Sequence, residues 1–460
     1  MSRMIAYFLF LGIVLRAAET PDELARSLFK ELIEINTTDS VGNCTTAAQA
    51  VAARLKAAGF PAADVQVLGP APRKGNLVAR FRSAAPKRKP LLLLAHLDVV
   101  EAKRSDWSVD PFVFLEKDGW FYGRGTTDDK AQAAIWTATL MRLKQEGYAP
   151  DRDIILALTA DEEGGKFNGA KFLVEQHRDL VDAAYCLNEG GSGQYKNGKR
   201  ILNGVQASEK VFYSFSVEAK NPGGHSSLPR KDNAIYQLVN ALGRLERFQF
   251  PVRLNEVTQA WFERMANIAG GETGKDFTAV SHTPPDAAAA ARLSENPYYN
   301  ALLRTTCVTT MLEGGHAENA LPQSARATVN CRVLPSEDLK QVQSTLEQVF
   351  ADPGVKVTPV EAPKPSPPSP LSAEVMGPIT KITNEVFPGV PVVPAMGTGA
   401  TDGLYFRIAG IPTYGIQGLF HDVDDNREHG RDERLGVKDF YAGREFLYRL
   451  VKALTSAESR

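Results

Sequence analysis

An α/β fold, built as a mixed sheet flanked by helices with an inserted α+β module, is predicted by three observations. Apolar runs that read as buried strands alternate with helix-forming segments up to about residue 208. Segments with strand alternation and two amphipathic helices then interrupt that pattern before it resumes near the carboxyl end. Three of the apolar runs end in histidine or carboxylates, at the strand edge where open α/β sheets build their sites.

The chain has 460 residues, 43% hydrophobic and 23% charged, which is enough apolar material for more than one core. Its net charge of −1 leaves no electrostatic footprint for nucleic acid or anionic lipid. Small-molecule or peptide chemistry is the expectation. Met1-Ser2-Arg3 precedes an apolar run over residues 4–15, and Arg16-Ala17-Ala18 follows it. A signal peptide over residues 1–18 is expected, with secretion or the periplasm as the location. Arg16 interrupts the cleavage region, so an N-terminal membrane anchor or a cytoplasmic chain is the alternative. Nothing later reaches transmembrane length. Cys44, Cys186, Cys307 and Cys331 lack the paired spacing of a zinc site. They read as small buried hydrophobes, or as partners in a disulfide of open pairing if the chain is exported.

Asp22 and Glu23 open a helical stretch over residues 21–60, and its later part, 45–55, is rich in helix formers and ends at Gly59. Residues 76–81 alternate as a strand, and the leucine run 91–95 after Pro90 is a buried strand ending at His96. Asp106, Asp110-Pro111 and Asp118-Gly119 mark a loop and hairpin over residues 107–120. An alanine-rich helix spans 131–141, and apolar strands at 154–159 and 183–187 complete a series that implies a largely parallel sheet.

Residues 210–217 begin the second region as a strand, followed by the loop Asn221-Pro222-Gly223-Gly224-His225 and an amphipathic helix over 233–248. Strands at 325–333 and 355–360 bracket a helix at 335–350. Residues 209–363 are therefore expected to form the inserted module, between the two parts, 19–208 and 364–460, of one discontinuous domain. The proline-rich stretch 363–368 is its exit linker. Residues 249–300 fit no strong period and read as a helical excursion within the module. A helix over 373–387, a short strand at Val392-Val393, a glycine-rich turn over 397–403 and a closing helix near 440–454 return the chain to the first domain.

His96 and Asp98 share a face of extended chain. That spacing lets the Asp98 carboxylate take the second ring N–H of His96 and leave the other nitrogen free for a metal. Asp161-Glu162-Glu163 and Asn188-Glu189 follow the next two apolar strands. Such charges at the edge of a buried sheet are costly unless a cation compensates them.

The ordered motifs His96-x-Asp98, Gly123-Arg124-Gly125-x-x-Asp128-x-Lys130, Asp161-Glu162-Glu163-Gly164, Asn188-Glu189-Gly190, Pro222-Gly223-Gly224-His225-Ser226 and His429-Gly430-x-Asp432-Glu433 resemble those of the M20 metallopeptidases. That group includes glutamate carboxypeptidases, carnosinase-type dipeptidases, aminoacylases and succinyl-diaminopimelate desuccinylases. The resemblance covers nearly the whole chain after the leader. It implies a zinc-exopeptidase-like sheet with a ferredoxin-like lid and dimerisation domain. It also implies two zinc ions bridged by Asp128, one completed by His96 and Glu189 and the other by Glu163 and His429. Manganese or cobalt would suit the same donors.

Glu162 is the implied general base, Asp98 supports His96, and His225 is the implied oxyanion donor, reaching over from the second subunit of a homodimer. His429 is preferred to His421 as the last ligand because His-Gly-x-Asp-Glu matches the family ending. A cis peptide after Asp128 is implied as well. Arg332 is the expected bidentate partner of a substrate carboxylate, with Asn319 and the backbone of Gly397, Thr398 and Gly399 beside it.

The function so implied is dizinc hydrolysis of a peptide or N-acyl amide bond in a small substrate with a free carboxylate, by an exopeptidase, dipeptidase or carboxypeptidase. Metal-activated water attacks the carbonyl and Glu162 shuttles the proton. An N-acyl-amino-acid deacylase is the alternative, and a non-catalytic binding protein keeping the fold is the alternative from another class. A full ligand set together with Glu162 argues for the enzyme.

Overall fold

The leucine run 91–95 and His96 make the strand Leu91–His96, buried along its whole length in the computed structural model, which describes residues 19–456. Side chains on both faces are apolar, so the strand needs cover on both sides and sits inside the sheet. It pairs in parallel with Ile154–Thr159 and with Tyr185–Asn188. Beyond Ile154–Thr159 lie Asn76–Phe81 and the edge strand Val65–Leu68. Beyond Tyr185–Asn188 come Thr413–Gly415, Lys199–Glu209, Gly193–Lys196 and Phe420–Asp422, while Val392–Gly397 pairs in parallel with Lys199–Glu209.

The sheet is mixed rather than largely parallel, because Val65–Leu68, Asn76–Phe81 and the hairpin of Gly193–Lys196 with Lys199–Glu209 run antiparallel to their neighbours. That hairpin turns at Asn197 and Gly198, both with positive φ, as an Asn-Gly pair favours.

Helices cover the sheet. Pro21–Glu34 starts in a capping box between Thr20 and Glu23 and buries Leu24, Leu28, Phe29, Leu32 and Ile33. Lys130–Gln145 is buried nearly all round, and Trp136 donates its indole N–H to the Leu94 carbonyl at 3.2 Å. The closing helix Val437–Thr455 packs Phe440, Phe446 and Leu450 into the same core.

A separate four-stranded antiparallel sheet has the order Thr306–Gly314, Ser324–Val333, Val211–Lys220, Val355–Pro359. Its core joins Phe215, Val217 and Val329 to Leu238, Leu346 and Phe350 of the helices Ala234–Arg247 and Leu339–Phe350. The strand Thr306–Gly314 adds an edge that the sequence reading left out. Cys307 and Cys331, directly opposite each other, form a disulfide there, and Cys44 and Cys186 are buried thiols.

The helical excursion is real, as Glu256–Ala269, Gly271–Ser281, Ala287–Leu293 and Pro297–Leu303, but its packing differs from the expectation. Trp261, Phe262, Phe277 and Leu303 are buried in the core of the large sheet with Val392 and Met396, not in the core of the four-stranded sheet. The excursion supplies the apolar cover that strand Val392–Gly397 needs. The leader expected over residues 1–18 lies outside the described residues. Among the described residues, no helix is long and apolar enough to cross a membrane.

Candidate metal centre

Three parallel strands deliver their carboxyl ends to one place. His96 is the last residue of its strand and pairs in register with Thr159, from which the chain continues to Asp161, Glu162 and Glu163. Glu189 follows the strand Tyr185–Asn188. A Cβ at the next position, Gly190, would lie 2.1 Å from Gln206 Oε1, and φ there is +97°, so the turn after Glu189 requires glycine. Asp128 stands two residues before the helix Lys130–Gln145, and the peptide between Asp128 and Asp129 is cis.

Ligand-type atoms of His96, Asp128 and Glu163 lie within 4.8 Å of one another. Asp128 is the centre of the group. One of its carboxylate oxygens is 2.8 Å from His96 Nε2 and the other 3.1 Å from His429 Nε2, which is itself 2.9 Å from Glu163 Oε2. His421 is 4.0 Å from Glu428 instead. Glu189 makes no hydrogen bond to this group among the described residues, although the charges of Glu162 and Asp128 act on it.

Asp98 does not take the ring N–H of His96 through its carboxylate. His96 Nδ1 donates to the Asp98 main-chain carbonyl at 3.0 Å, and the side-chain oxygen is 3.7 Å away. The Asp98 carboxylate instead accepts the backbone N–H groups of Glu162 at 3.1 Å and Glu163 at 3.0 Å. The tautomer of His96 is still fixed with Nε2 facing Asp128, but by backbone. The carboxylate of Asp98 orients the turn that carries both glutamates.

The electrostatics fit a cation. Burial pushes Glu162 and Glu189 well above the ordinary carboxylate range and Glu163 up to about 7, with neighbouring carboxylates adding to the effect. Burial opposes charge on His96, yet Asp128 outweighs it and raises the imidazole well above its usual value. The hydrogen bond to Asp128 lifts His429 to about 9. In Asp128 itself the two histidines overcome burial and hold the carboxyl low. Protons on these groups do the compensating that a divalent cation would do, and histidine with carboxylate is a donor set suited to zinc or a similar metal.

Two buried carboxylates behind the site were not singled out from sequence. Glu433 accepts from Arg124 at 2.6 Å, from the backbone N–H groups of Gly125, Thr127 and Asp128 at 3.0, 2.7 and 3.3 Å, and from the Thr127 hydroxyl at 2.8 Å. It therefore fastens the loop of His429 to the loop of Asp128. Its signal was present in the run His429-Gly430-x-Asp432-Glu433. Asp402 accepts from the Thr159 hydroxyl at 2.6 Å and the Asn168 amide at 2.7 Å, and burial pushes it up to about 6.

The residues expected to read the substrate are divided. A cleft of about 770 Å³ is lined by Glu162, Glu163, Phe212, Arg332, Lys364 and Gly399, among others. The Arg332 guanidinium stacks 4.8 Å above the Phe212 ring. Gly397 and Thr398 line a different cavity of about 630 Å³, which begins at Gly190 and Gly191. His225 and Asn319 are exposed on the inserted module, where Ser226 N–H donates to the Asn319 carbonyl at 3.1 Å and Ser227 pairs with His225 Nδ1 at 2.8 Å. Neither residue lines either cavity.

Residues 92–453 match the model of peptidase family M20/M25/M40. The chain is 29% identical over 382 residues to the N-fatty-acyl-amino acid synthase/hydrolase of Homo sapiens, covering 81% of this chain and 75% of that protein. An M20 family metallo-carboxypeptidase from Sulfolobus solfataricus has the same fold, with a TM-score of 0.68 and 17% identity over 94% of this chain and 99% of its own. A dinuclear metal binding peptidase of Bacillus subtilis has a TM-score of 0.59 and 12% identity over 94% of this chain and 97% of its own.

Proposed function

The chain belongs to peptidase family M20/M25/M40, a hydrolase family acting on peptide or N-acyl amino acid bonds, and on that premise we propose that it is a dizinc N-acyl-amino-acid hydrolase. The observation that carries the reading is the convergence of His96, Asp128 and Glu163 within 4.8 Å, with Glu162 beside them on the wall of an accessible cleft. The resemblance to an N-fatty-acyl-amino acid synthase/hydrolase favours the acyl bond over the peptide bond.

In this mechanism His96, Asp128, Glu163, Glu189 and His429 would hold the metal ions. Bound there, the metals supply positive charge that polarises the scissile carbonyl and makes water acidic enough to attack near neutral pH. Glu162 accepts the water's proton and returns it to the departing nitrogen, a task suited to a carboxyl whose pKa burial has raised. Asp98 aims Glu162 and Glu163 through their backbone N–H groups. Arg332 binds the substrate carboxylate in the cleft. His225, exposed on the inserted module, donates to the developing oxyanion from a second copy of the chain in a homodimer. An oxidising compartment is also proposed, supported by the Cys307–Cys331 disulfide.

The test is a panel of N-acyl amino acids and dipeptides, assayed after chelation and after return of zinc, manganese or cobalt. N-acyl amino acids should be cleaved with kcat/KM at least tenfold above the dipeptides, and only with metal restored. Preference for dipeptides would replace the deacylase by an exopeptidase. No cleavage of either class under any metal would remove the reading.

A further inference from the structure

Two cavities lie beside residues of the candidate metal site. On the side of Glu162 and Glu163, the cleft of about 770 Å³ carries the cationic side chains of Arg332 and Lys364. On the other side, the cavity of about 630 Å³ starts at Gly190, the residue after Glu189, and is walled by Trp261, Met265, Tyr298 and Tyr299. The turn Gly397-Thr398-Gly399 stands between them, since Gly397 and Thr398 line one cavity and Gly399 the other.

The aromatic wall is a built surface. Trp261 is 5% exposed and packs edge-on against Phe262 and Phe277, with ring centroids 5.0 and 5.4 Å away. Tyr298 and Tyr299 flank it at 5.9 and 6.0 Å. These rings come from the helices Glu256–Ala269 and Pro297–Leu303, within the segment that fits no strong sequence period. Met265 adds an adaptable thioether. Gln194, Asn296 and the exposed Lys196 supply the polar part of the lining. The volume falls in the range of about 300–1,000 Å³ typical of ligand pockets.

We propose that the cavity walled by Trp261, Met265, Tyr298 and Tyr299 is the subsite for a long apolar acyl chain, placed so that the amide to be cleaved straddles the metal ligands while its amino-acid half lies in the cleft of Arg332 and Lys364. This rests on the N-acyl-amino-acid reading and deepens it. Arg332 and Lys364 offer an anionic head two cations on the side of Glu162 and Glu163, and Trp261 with Tyr298 and Tyr299 offers an apolar tail a continuous aromatic wall.

The test is binding, kept apart from turnover. In a Glu162→Gln background, affinities are measured for N-acetyl-phenylalanine and N-dodecanoyl-phenylalanine, in the metal-loaded protein. Each buried methylene is worth about fourfold, so the dodecanoyl ligand should bind at least 100-fold more tightly. Met265→Trp, which fills the cavity, should cut that ratio to below tenfold. Tyr298→Arg, at a position 44% exposed and so safe for folding, should cut it in the same direction. A ratio near one in the parent, or a ratio that survives both substitutions, overturns the proposal. If the ratio behaves as stated while wild type hydrolyses no N-acyl amino acid, the hydrolase reading fails and the subsite stands; if wild type hydrolyses them and the ratio is absent, the reverse holds.

Discussion

Glu433 accepts both the backbone N–H and the hydroxyl of Thr127, at 2.7 and 2.8 Å, from a position with no exposure to solvent. The same carboxylate pairs with buried Arg124 at 2.6 Å. The turn before Asp128 and the loop carrying His429 therefore share one anchor, and the distance between two predicted metal ligands depends on it.

Glu433→Gln should weaken metal binding 10- to 100-fold, the usual effect of losing a group that orients ligands. The amide can keep Thr127 as a donor to its oxygen, but its NH₂ then faces the N–H groups of Arg124 and Gly125. Breaking a buried pair of this kind costs about 3–5 kcal/mol, so the melting temperature should fall as well. Metal titration followed by calorimetry and by activity reads both effects, with activity recovering in excess metal. Unchanged metal affinity would mean that the two loops are held apart from Glu433.

Glu162 and Glu163 are adjacent in sequence and should fail differently. Glu162→Gln keeps the metals and loses about 10²- to 10⁴-fold in kcat, the size of a lost general base. Glu163→Gln loses metal first, and part of its activity returns at high metal concentration. Metal content per chain, measured beside kcat, separates the two. Equal loss of metal in both variants would reassign Glu162 as a ligand.

The neighbourhood of His96, Asp128 and Glu163 was legible because each motif follows a strand or opens a helix, and a parallel sheet brings strand ends together, whereas His429 sits in a loop and came only from the family motif. The role of Asp98 was not. A spacing of two puts Asp98 near His96 but does not say whether its carbonyl or its carboxylate meets the ring, and the backbone N–H groups of Glu162 and Glu163 compete for the carboxylate. Glu433 stood in the motif His429-Gly430-x-Asp432-Glu433, but its partners Arg124, Gly125 and Thr127 lie 306 to 309 residues away, so local pattern did not give its role. The segment of the helices between 256 and 303 has no strong period, and apolar residues without one do not say which core they will join; Trp261 and Phe277 went to the large sheet. The Asn197-Gly198 turn, in contrast, was a hairpin signal in plain view, and the strands Gly193–Lys196 and Lys199–Glu209 on either side of it went unread.

Metal should stabilise the protein more as pH rises. In the metal-free fold, burial lifts Glu163 from 4.5 to about 7, and the bond to Asp128 lifts His429 from 6.5 to about 9. Both groups hold protons that the unfolded chain has released, so the metal-free protein loses stability as pH rises through those windows. Metal binds the deprotonated ligands and gains over the same range. The difference in melting temperature between zinc-loaded and chelated protein should therefore widen from about pH 5.5 to about pH 8. A constant difference would show that neither group changes its proton when metal binds.

Arg332 lines the same cleft as Lys364, and its guanidinium rests on the Phe212 ring. A planar fork can take a carboxylate through two hydrogen bonds, whereas lysine offers a point charge. Hydrogen bonds to a charged group contribute about 1.5–3 kcal/mol, so Arg332→Ala should lower kcat/KM for an N-acyl amino acid roughly 10- to 100-fold, mostly through KM. Arg332→Lys should recover little of it. The decisive comparison uses the same substrate with its carboxylate converted to a carboxamide. If Arg332 reads that carboxylate, the carboxamide is a poor substrate of the wild type and the substitution costs it almost nothing further. If the substitution costs acid and amide equally, Arg332 supports the cleft through its stacking on Phe212, and Lys364 becomes the residue that binds the substrate's charge.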